Sequence, residues 1–319
     1  MKVEKKIATR ESYGKALVEL APEFPNLVVL DADLSGATKT QLFQSQYPHR
    51  HINCGIAEAN MMGVAAGLAA EGMLPVASTF AIFAAGRAYE QIRNSIGYPA
   101  LNVKIGATHG GISVGEDGAS HQCNEDIALM RTISGMSVIC PADDVETRAA
   151  LRAALNYQGP VYLRFGRMPT PVIYEEATYV FQWGQGIRLR EGRDITLIAT
   201  GLCVWETLCA AECLRSDGIE SEVIDIHTIK PLDEALILAS AQKTRCVATI
   251  EEHSVIGGLG SAVSDLLSAK LPTHVLKLGI NDIFGESGTA QALLDQYGLN
   301  AKGIYQNILS WYHDRIQMH

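Results

Sequence analysis

Two trains of short apolar runs, each run followed by a helix-forming stretch, constrain this chain more than any other feature. In the first train "NLVVLDAD" (26–33), "LPVAST" (74–79), "ALNVKIGA" (100–107) and "SVICPAD" (137–143) read as buried strands, and 11–24, 55–70 and 84–96 as helices. The second train holds "ITLIAT" (195–200), "SEVIDIH" (221–227), "RCVATIEE" (245–252) and "HVLKLGI" (274–280), with helices over 204–216 and from "GGLGSAVSDLL" onward. Strands that alternate with helices are joined by crossovers, so both sheets are expected to be mainly parallel and covered on both faces. The fold class is α/β, in two consecutive domains, which a length of 319 residues accommodates. The irregular, proline-containing stretch 167–186 breaks the alternation and marks the join. The expected division is a first domain over 1–172, a linker over 173–190 and a second domain over 191–319.

Composition narrows the partners. With 47% hydrophobic and 19% charged residues the chain can bury a core in each domain, and disorder is not indicated. A net charge of -9, with no Lys/Arg cluster able to track a phosphodiester backbone, argues against nucleic acid while leaving room for local binding of small anions. No run is apolar for long enough to cross a membrane or serve as a signal-peptide core, so the expected location is cytoplasmic. The seven cysteines show no metal-ligand spacing and are expected to be reduced, mostly core thiols, Cys123 among them.

Three stretches of the first train carry polar groups that packing does not require. "DADLSG" (31–36) places two acids at the carboxyl end of a buried strand, where open α/β sheets bind ligands. "GIAEANMMGVAAGLAA" (55–70) holds one acid, Glu58, in a run of glycine, alanine, methionine and valine. Such a run reads as a helix buried on most of its circumference, with other backbone close to its glycines. Glu58 must then find a partner or keep its proton. "THGGISVGEDGASHQ" (108–122) lets backbone approach a ligand while His109, Asp117 and His121 present hydrogen-bonding groups. Phe80 and Phe83 follow a strand directly. Taken singly, a glycine-rich loop is a surface loop and paired aromatics are core. Together they make a pocket for a flat heterocycle whose ring nitrogen must be polarised.

In order along the chain, "IATRESYGKAL", "DADLSGATK", "GIAEANMMGVAAGLA", "STFAIF", "RAYEQIR", "GEDGASHQ", "TIKPLDEALI" and "EEHSVIGGLGSAV" resemble the C-terminal half of transketolase. The resemblance covers essentially the whole chain. It implies a pyrimidine-binding domain for thiamine diphosphate followed by a transketolase C-terminal-like domain. It also implies that Glu58 hydrogen-bonds N1′ of the aminopyrimidine and promotes the tautomer that removes the thiazolium C2 proton. By the same matching Phe83 and Phe80 would stack on or enclose the aminopyrimidine, and Asp33 would lie near the thiazolium. Asp117 and His121 would contact sugar hydroxyls near the reacting carbons, with His121 sharing in catalysis. Arg10, His109 and Arg167 would grip the substrate phosphate, a task suited to the planar fork of arginine. Arg164 is read as a structural ion-pair former.

Two departures bear on the sugars. Where many members carry a phosphate-binding serine this chain has Ala37 followed by Thr38, and a further family aromatic beyond Phe83 is replaced by Gly86 or Arg87, depending on where a one-residue offset falls. The chain also lacks the "GDG" stretch and its asparagine, with which complete members hold Mg2+ and the diphosphate. The expectation is therefore a split enzyme: a separate N-terminal subunit supplies that half and the metal, in an α2β2 assembly. The chain itself holds no metal on this reading. Competing readings are the β subunit of a 2-oxo acid dehydrogenase E1 component, a relative of the enzymes that make 1-deoxyxylulose phosphate, and a non-catalytic scaffold of the same fold.

Overall fold

The protein is described by a computed structural model over residues 5–317, with side chains to residue 314. Fourteen strands are assigned among these residues: β1 (Lys6–Ala8), β2 (Leu27–Asp31), β3 (His51–Asn53), β4 (Leu74–Phe80), β5 (Lys104–Thr108), β6 (Ser137–Ile139), β7 (Val161–Arg164), β8 (Pro169–Pro171), β9 (Ile187–Arg190), β10 (Ile195–Ala199), β11 (Ser221–Asp225), β12 (Thr228–Lys230), β13 (Val247–Ser254) and β14 (Val275–Ile280). They build a seven-stranded sheet in the order β12-β6-β7-β5-β4-β2-β3 and a five-stranded sheet in the order β14-β13-β10-β11-β9. Both are parallel apart from one antiparallel edge strand each, β12 and β9. A small antiparallel pair, β1 with β8, ties the start of the chain to the end of the first sheet.

The apolar residues sort into three layers. Tyr13, Leu17, Leu27, Phe43, Leu151 and Leu163 pack on one face of the large sheet. Leu197, Leu214, Ile250, Ile304 and Ile308 pack on the outer side of the small one. Between the sheets a single cluster runs from Met61, Ile92 and Ile105 to Ile224, Ile237 and Val263, so the two halves share a continuous interior.

Several elements depart from the sequence reading. The run 100–107 becomes a strand only at Lys104, because Ala100 adopts left-handed backbone (φ 53°) and turns the chain. The strand expected over 137–143 stops at Ile139. Gly55 (φ 70°) turns the chain before the helix expected from 55, which starts at Glu58 and runs to Ala70. That helix is less enclosed than expected: Asn60, Gly63 and Gly67 are exposed, and a Cβ on either glycine would meet no atom within 4 Å. The helix expected over 84–96 is split into two wide π-type turns, Phe83–Arg87 and Ile92–Gly97, around Tyr89–Gln91. A π turn takes up one more residue than an α turn and recurs at functional sites.

The join at 167–186 is a strap and not a loose linker. Asp143 caps the helix Asp144–Asn156 by accepting from the Glu146 N–H at 2.9 Å, and its other oxygen accepts from the backbone of Ile173 (2.7 Å) and Tyr174 (2.9 Å). The Tyr174 hydroxyl donates to Asp225 (2.7 Å) and the Tyr179 hydroxyl to Glu146 (2.6 Å). Burial raises the pKa of both carboxyls, that of Asp225 to about 7. After β11 the chain crosses to add β12 to the edge of the first sheet, which sequence periodicity did not reveal.

Close backbone approach fixes one core contact. Gly106 on β5 lies under the Tyr13 ring, which stacks on Phe165 with centroids 4.6 Å apart and hydrogen-bonds Ser78. A Cβ at Gly106 would fall 2.2 Å from the Tyr13 hydroxyl. Gly106→Ala is therefore expected to destabilise the fold by about 1–3 kcal/mol through overpacking. Chemical denaturation checks this, and an unchanged midpoint would refute it.

Candidate active site

Most of the proposed site residues gather at the carboxyl ends of three neighbouring strands, β7, β5 and β4, where open parallel sheets bind ligands. Register brings Phe80 beside Thr108, so His109, the next residue, lies against the Phe80 ring. The two rings stack with centroids 3.7 Å apart. Phe83 stacks on Phe80 at 5.6 Å, and His121 meets Phe83 edge-on at 5.5 Å. Two distant loops thus close into one aromatic cluster.

His109 is buried and in left-handed backbone (φ 59°). Its Nε2 lies 3.0 Å from Arg10 Nη1 and its Nδ1 lies 2.8 Å from Thr108 Oγ1. Guanidinium has only donors, so Nε2 accepts, Nδ1 carries the proton, and that proton is donated to Thr108. Burial, then the charge of Arg10 and that of Arg167, push the imidazole pKa down to about 3. His109 is a neutral hydrogen-bonding group beside two cations.

Arg10 also donates to the Ala37 carbonyl at 3.1 Å, and burial lowers its pKa from the ordinary arginine value. Arg167 donates to the Val114 carbonyl and to Glu116 at 3.2 Å, and lies 3.8 Å from Asp117. Arg10 and Arg167 line one cavity of about 240 Å³ with Ser113 and Glu116. Arg10, His109 and Arg167, expected to act together, are brought to one corner. Asp117 is exposed and engaged with Arg167.

Glu58 opens its helix at the electropositive end, 4% exposed, and has found a partner: Arg87 Nη1 lies 3.1 Å from its Oε1. The same guanidinium lies over the Phe83 ring, 4.1 Å from its centroid. Sequence reasoning flagged Arg87 only as a departure. The π turn over Phe83–Arg87 absorbs the extra residue and delivers its side chain to Glu58. Glu58 and Phe83 thus already receive one flat, donor-bearing group, and an aminopyrimidine is also flat and donor-bearing.

Asp33 stands apart. It is exposed, in left-handed backbone (φ 63°), accepts from Asn53 at 3.1 Å, and donates its N–H to Asp31 at 2.9 Å. Neither of these bonds reaches another of the expected site residues. Asp31 was read only as one of two strand-end acids; it is buried, with His51 Nε2 2.7 Å away. The available signal was its place at the end of a fully buried strand, where an acid needs a partner.

Arg164 forms the expected ion pair, its Nε 2.9 Å from Asp126 Oδ2, both buried. No disulfide joins any of the seven cysteines, and Cys123, Cys140, Cys203 and Cys246 are core. Cys54 and Cys209 are half-buried and Cys213 is exposed, so most of the seven are core, as expected. Among the described residues no helix is long and apolar enough to cross a membrane.

Comparison with known proteins bears directly on this geometry. Residues 5–172 match the pyrimidine binding domain of transketolase, and residues 184–304 match the transketolase C-terminal domain. The chain is 44% identical over 295 residues to a 6-deoxy-6-sulfo-D-fructose transketolase subunit of Clostridium sp., covering 92% of this chain and 91% of that one. It is 36% identical over 305 residues to an apulose-4-phosphate transketolase subunit of Phocaeicola vulgatus, covering 96% and 97%. A solved structure described as a split-gene transketolase in an inactive beta4 tetramer matches with a TM-score of 0.89 at 53% identity, covering 95% of this chain and 98% of that one.

The His109 environment sets a pH dependence. Between 6.5, the ordinary value, and about 3 the unfolded chain binds a proton that the folded chain refuses. The stability contributed by neutral His109 is thus present above pH 6.5 and lost as pH falls toward 3. Imidazole nitrogen shifts recorded at about pH 5 should show His109 neutral and protonated at Nδ1. A charged ring there would refute the assignment.

Proposed function

Because the chain belongs to the transketolase family, with its pyrimidine-binding and C-terminal domains, we propose that it is the C-terminal subunit of a split transketolase. It transfers a two-carbon ketol unit from a ketose phosphate to an aldose phosphate, in company with a partner subunit that carries the diphosphate- and Mg2+-binding half. The observation that carries this reading is the Glu58, Phe83 and Arg87 arrangement: a buried acid and an aromatic face, both already engaged by one flat cation.

Thiamine diphosphate, when bound, supplies the electron sink for ketol transfer. The chain's own residues do the rest. Glu58, shielded from water by the helix it opens, would share its proton with N1′ of the aminopyrimidine. Phe83 and Phe80 would stack on or enclose that ring. Asp33, on the exposed turn after β2, would lie near the thiazolium. Asp117 and His121 bind sugar hydroxyls beside the reacting carbons, and His121, held against Phe83, moves a proton at the substrate oxygen. Arg10 and Arg167 hold the anionic end, with neutral His109 beside them accepting from Arg10.

An arginine corner selects for negative charge, which a phosphate or a sulfonate supplies. Two features support docking of an N-terminal subunit in an α2β2 assembly: the exposed face of Asn60, Gly63 and Gly67 on the Glu58 helix, and the likeness to a split-gene relative. The domain division belongs to the same reading, with a pyrimidine-binding domain over 1–172, a connecting segment over 173–190 and a C-terminal domain over 191–319; residues 1–4 and 318–319 lie outside the described residues. So does a cytoplasmic location belong to it.

The test starts from a tagged pull-down in the native organism, followed by turnover of ketose phosphates by the recovered pair with thiamine diphosphate and Mg2+. Glu58→Gln should reduce turnover by roughly 10²-fold or more, since it removes a positioned acid–base group, and should leave partner recovery unchanged. A wild-type pair that binds its partner but turns over no ketose phosphate would favour the scaffold reading. Full ketol transfer by the chain alone would end the split reading.

A further inference from the structure

Glu252 lies near the end of β13, in the second sheet, yet its side chain reaches the glycine-rich loop of the first. It is 4% exposed, and its Oε1 accepts from the Ser113 N–H at 2.5 Å. Gly111 (φ 83°) lies so close that a Cβ there would fall 2.3 Å from the Glu252 carboxyl carbon. Arg164 Nη2 donates to the Glu252 carbonyl at 2.9 Å and to the Cys123 carbonyl at 3.2 Å. The Gly111 N–H donates to that same Cys123 carbonyl at 2.8 Å. The base of the loop is thereby gripped from three sides.

What the loop carries gives the grip a purpose. His109 lies two residues before Gly111. Val114, the residue after Ser113, offers its carbonyl to Arg167, while Glu116 and Asp117 pair with the same guanidinium. A displacement at Ser113 therefore passes directly to Arg167 and Asp117. We propose that Glu252 is a positioning residue through which the C-terminal half holds the loop 109–117, and with it Arg167 and Asp117, in place for the anionic end of the substrate. This rests on the reading of Arg167 and Asp117 as substrate-binding.

The charge state of Glu252 should be felt. Burial pushes its pKa up to about 7, against the pull of Arg164 and the Ser113 N–H, with Asp126 adding to the rise. Arg164 from β7, Asp126 from the helix Asp126–Thr132, Ser113 from the loop and the Cys203 thiol from the helix Cys203–Ser216 are the groups that face it. Above pH 7 the bond to Ser113 is charge-assisted, and below it the bond is between neutral groups and weaker.

Two measurements test the proposal. In the isolated chain, Glu252→Gln and Glu252→Ala should speed amide hydrogen exchange over residues 111–117 by tenfold or more, with an unchanged melting temperature for Glu252→Gln. In the assembled pair, with D-xylulose 5-phosphate as donor probe and ribose 5-phosphate as acceptor, Glu252→Gln should raise KM three- to tenfold at pH 8 with kcat changed less than twofold. The wild-type rise in KM as pH falls through 7 should flatten in this variant, and Glu252→Asp should recover part of the loss. Unchanged exchange, or a KM and pH profile identical to wild type, overturns the proposal, as does a parallel fall of kcat and melting temperature. A wild-type pair that turns over no sugar defeats the functional reading instead, and the exchange result then decides whether Glu252 holds the loop.

Discussion

One buried guanidinium joins the parts of this molecule. Arg164, at the carboxyl end of β7, bonds Asp126 at the start of a helix, the carbonyl of Cys123 at the base of the glycine-rich loop, and the carbonyl of Glu252 in the second sheet. A charge taken out of water is costly unless every donor is met, and removing one partner of such a pair costs about 3–5 kcal/mol. Asp126 is further held by the Tyr162 hydroxyl at 2.8 Å. The sheet end, the loop and the second sheet can satisfy this group only in one relative arrangement. The shared apolar layer supplies most of the cohesion between the halves, but it is non-directional. Arg164 supplies the register.

Around that hub the site divides into two electrostatic neighbourhoods. The corner of Arg10, His109 and Arg167 is cationic through its two arginines, whose charge, added to burial, keeps the histidine neutral and an acceptor for Arg10. The Glu58 corner is an acid in an apolar wall with a movable cation as its present company; Arg87 is 55% exposed on its side chain, Glu58 5%. The aromatic cluster of Phe80, Phe83, His109 and His121 separates the two. A ring system held by one corner and an anion held by the other would meet across these rings.

The alternation of strand and helix was legible because parallel strands buried on both faces read as continuous apolar runs. The site residues that the sequence marked were those it left unexplained by packing: Glu58 in an apolar run, histidines in a glycine loop, arginines after strands. What stayed hidden depended on chain separation. Arg87 reaches Glu58 only because a π turn rotates it there, and no periodicity announces such a turn. His51 and Asp31 lie on adjacent strands twenty residues apart in sequence, and Glu252 acts on an amide from the other half of the chain. The glycines of the Glu58 helix misled in a simpler way, because small residues accommodate a neighbour's approach whether that neighbour lies in this chain or elsewhere.

The crossing of β12 to the edge of the first sheet has consequences for how such proteins diversify. Its three residues cover the open side of β6, yet they are encoded beyond the strap that joins the halves. A recombination event with its breakpoint in that strap would hand the new N-terminal piece an uncovered sheet edge, the kind of surface that templates aggregation. The same event would leave the C-terminal piece with a strand and no sheet to join. Shuffling is therefore expected to favour breakpoints outside the pair of halves, so that they are inherited as one unit.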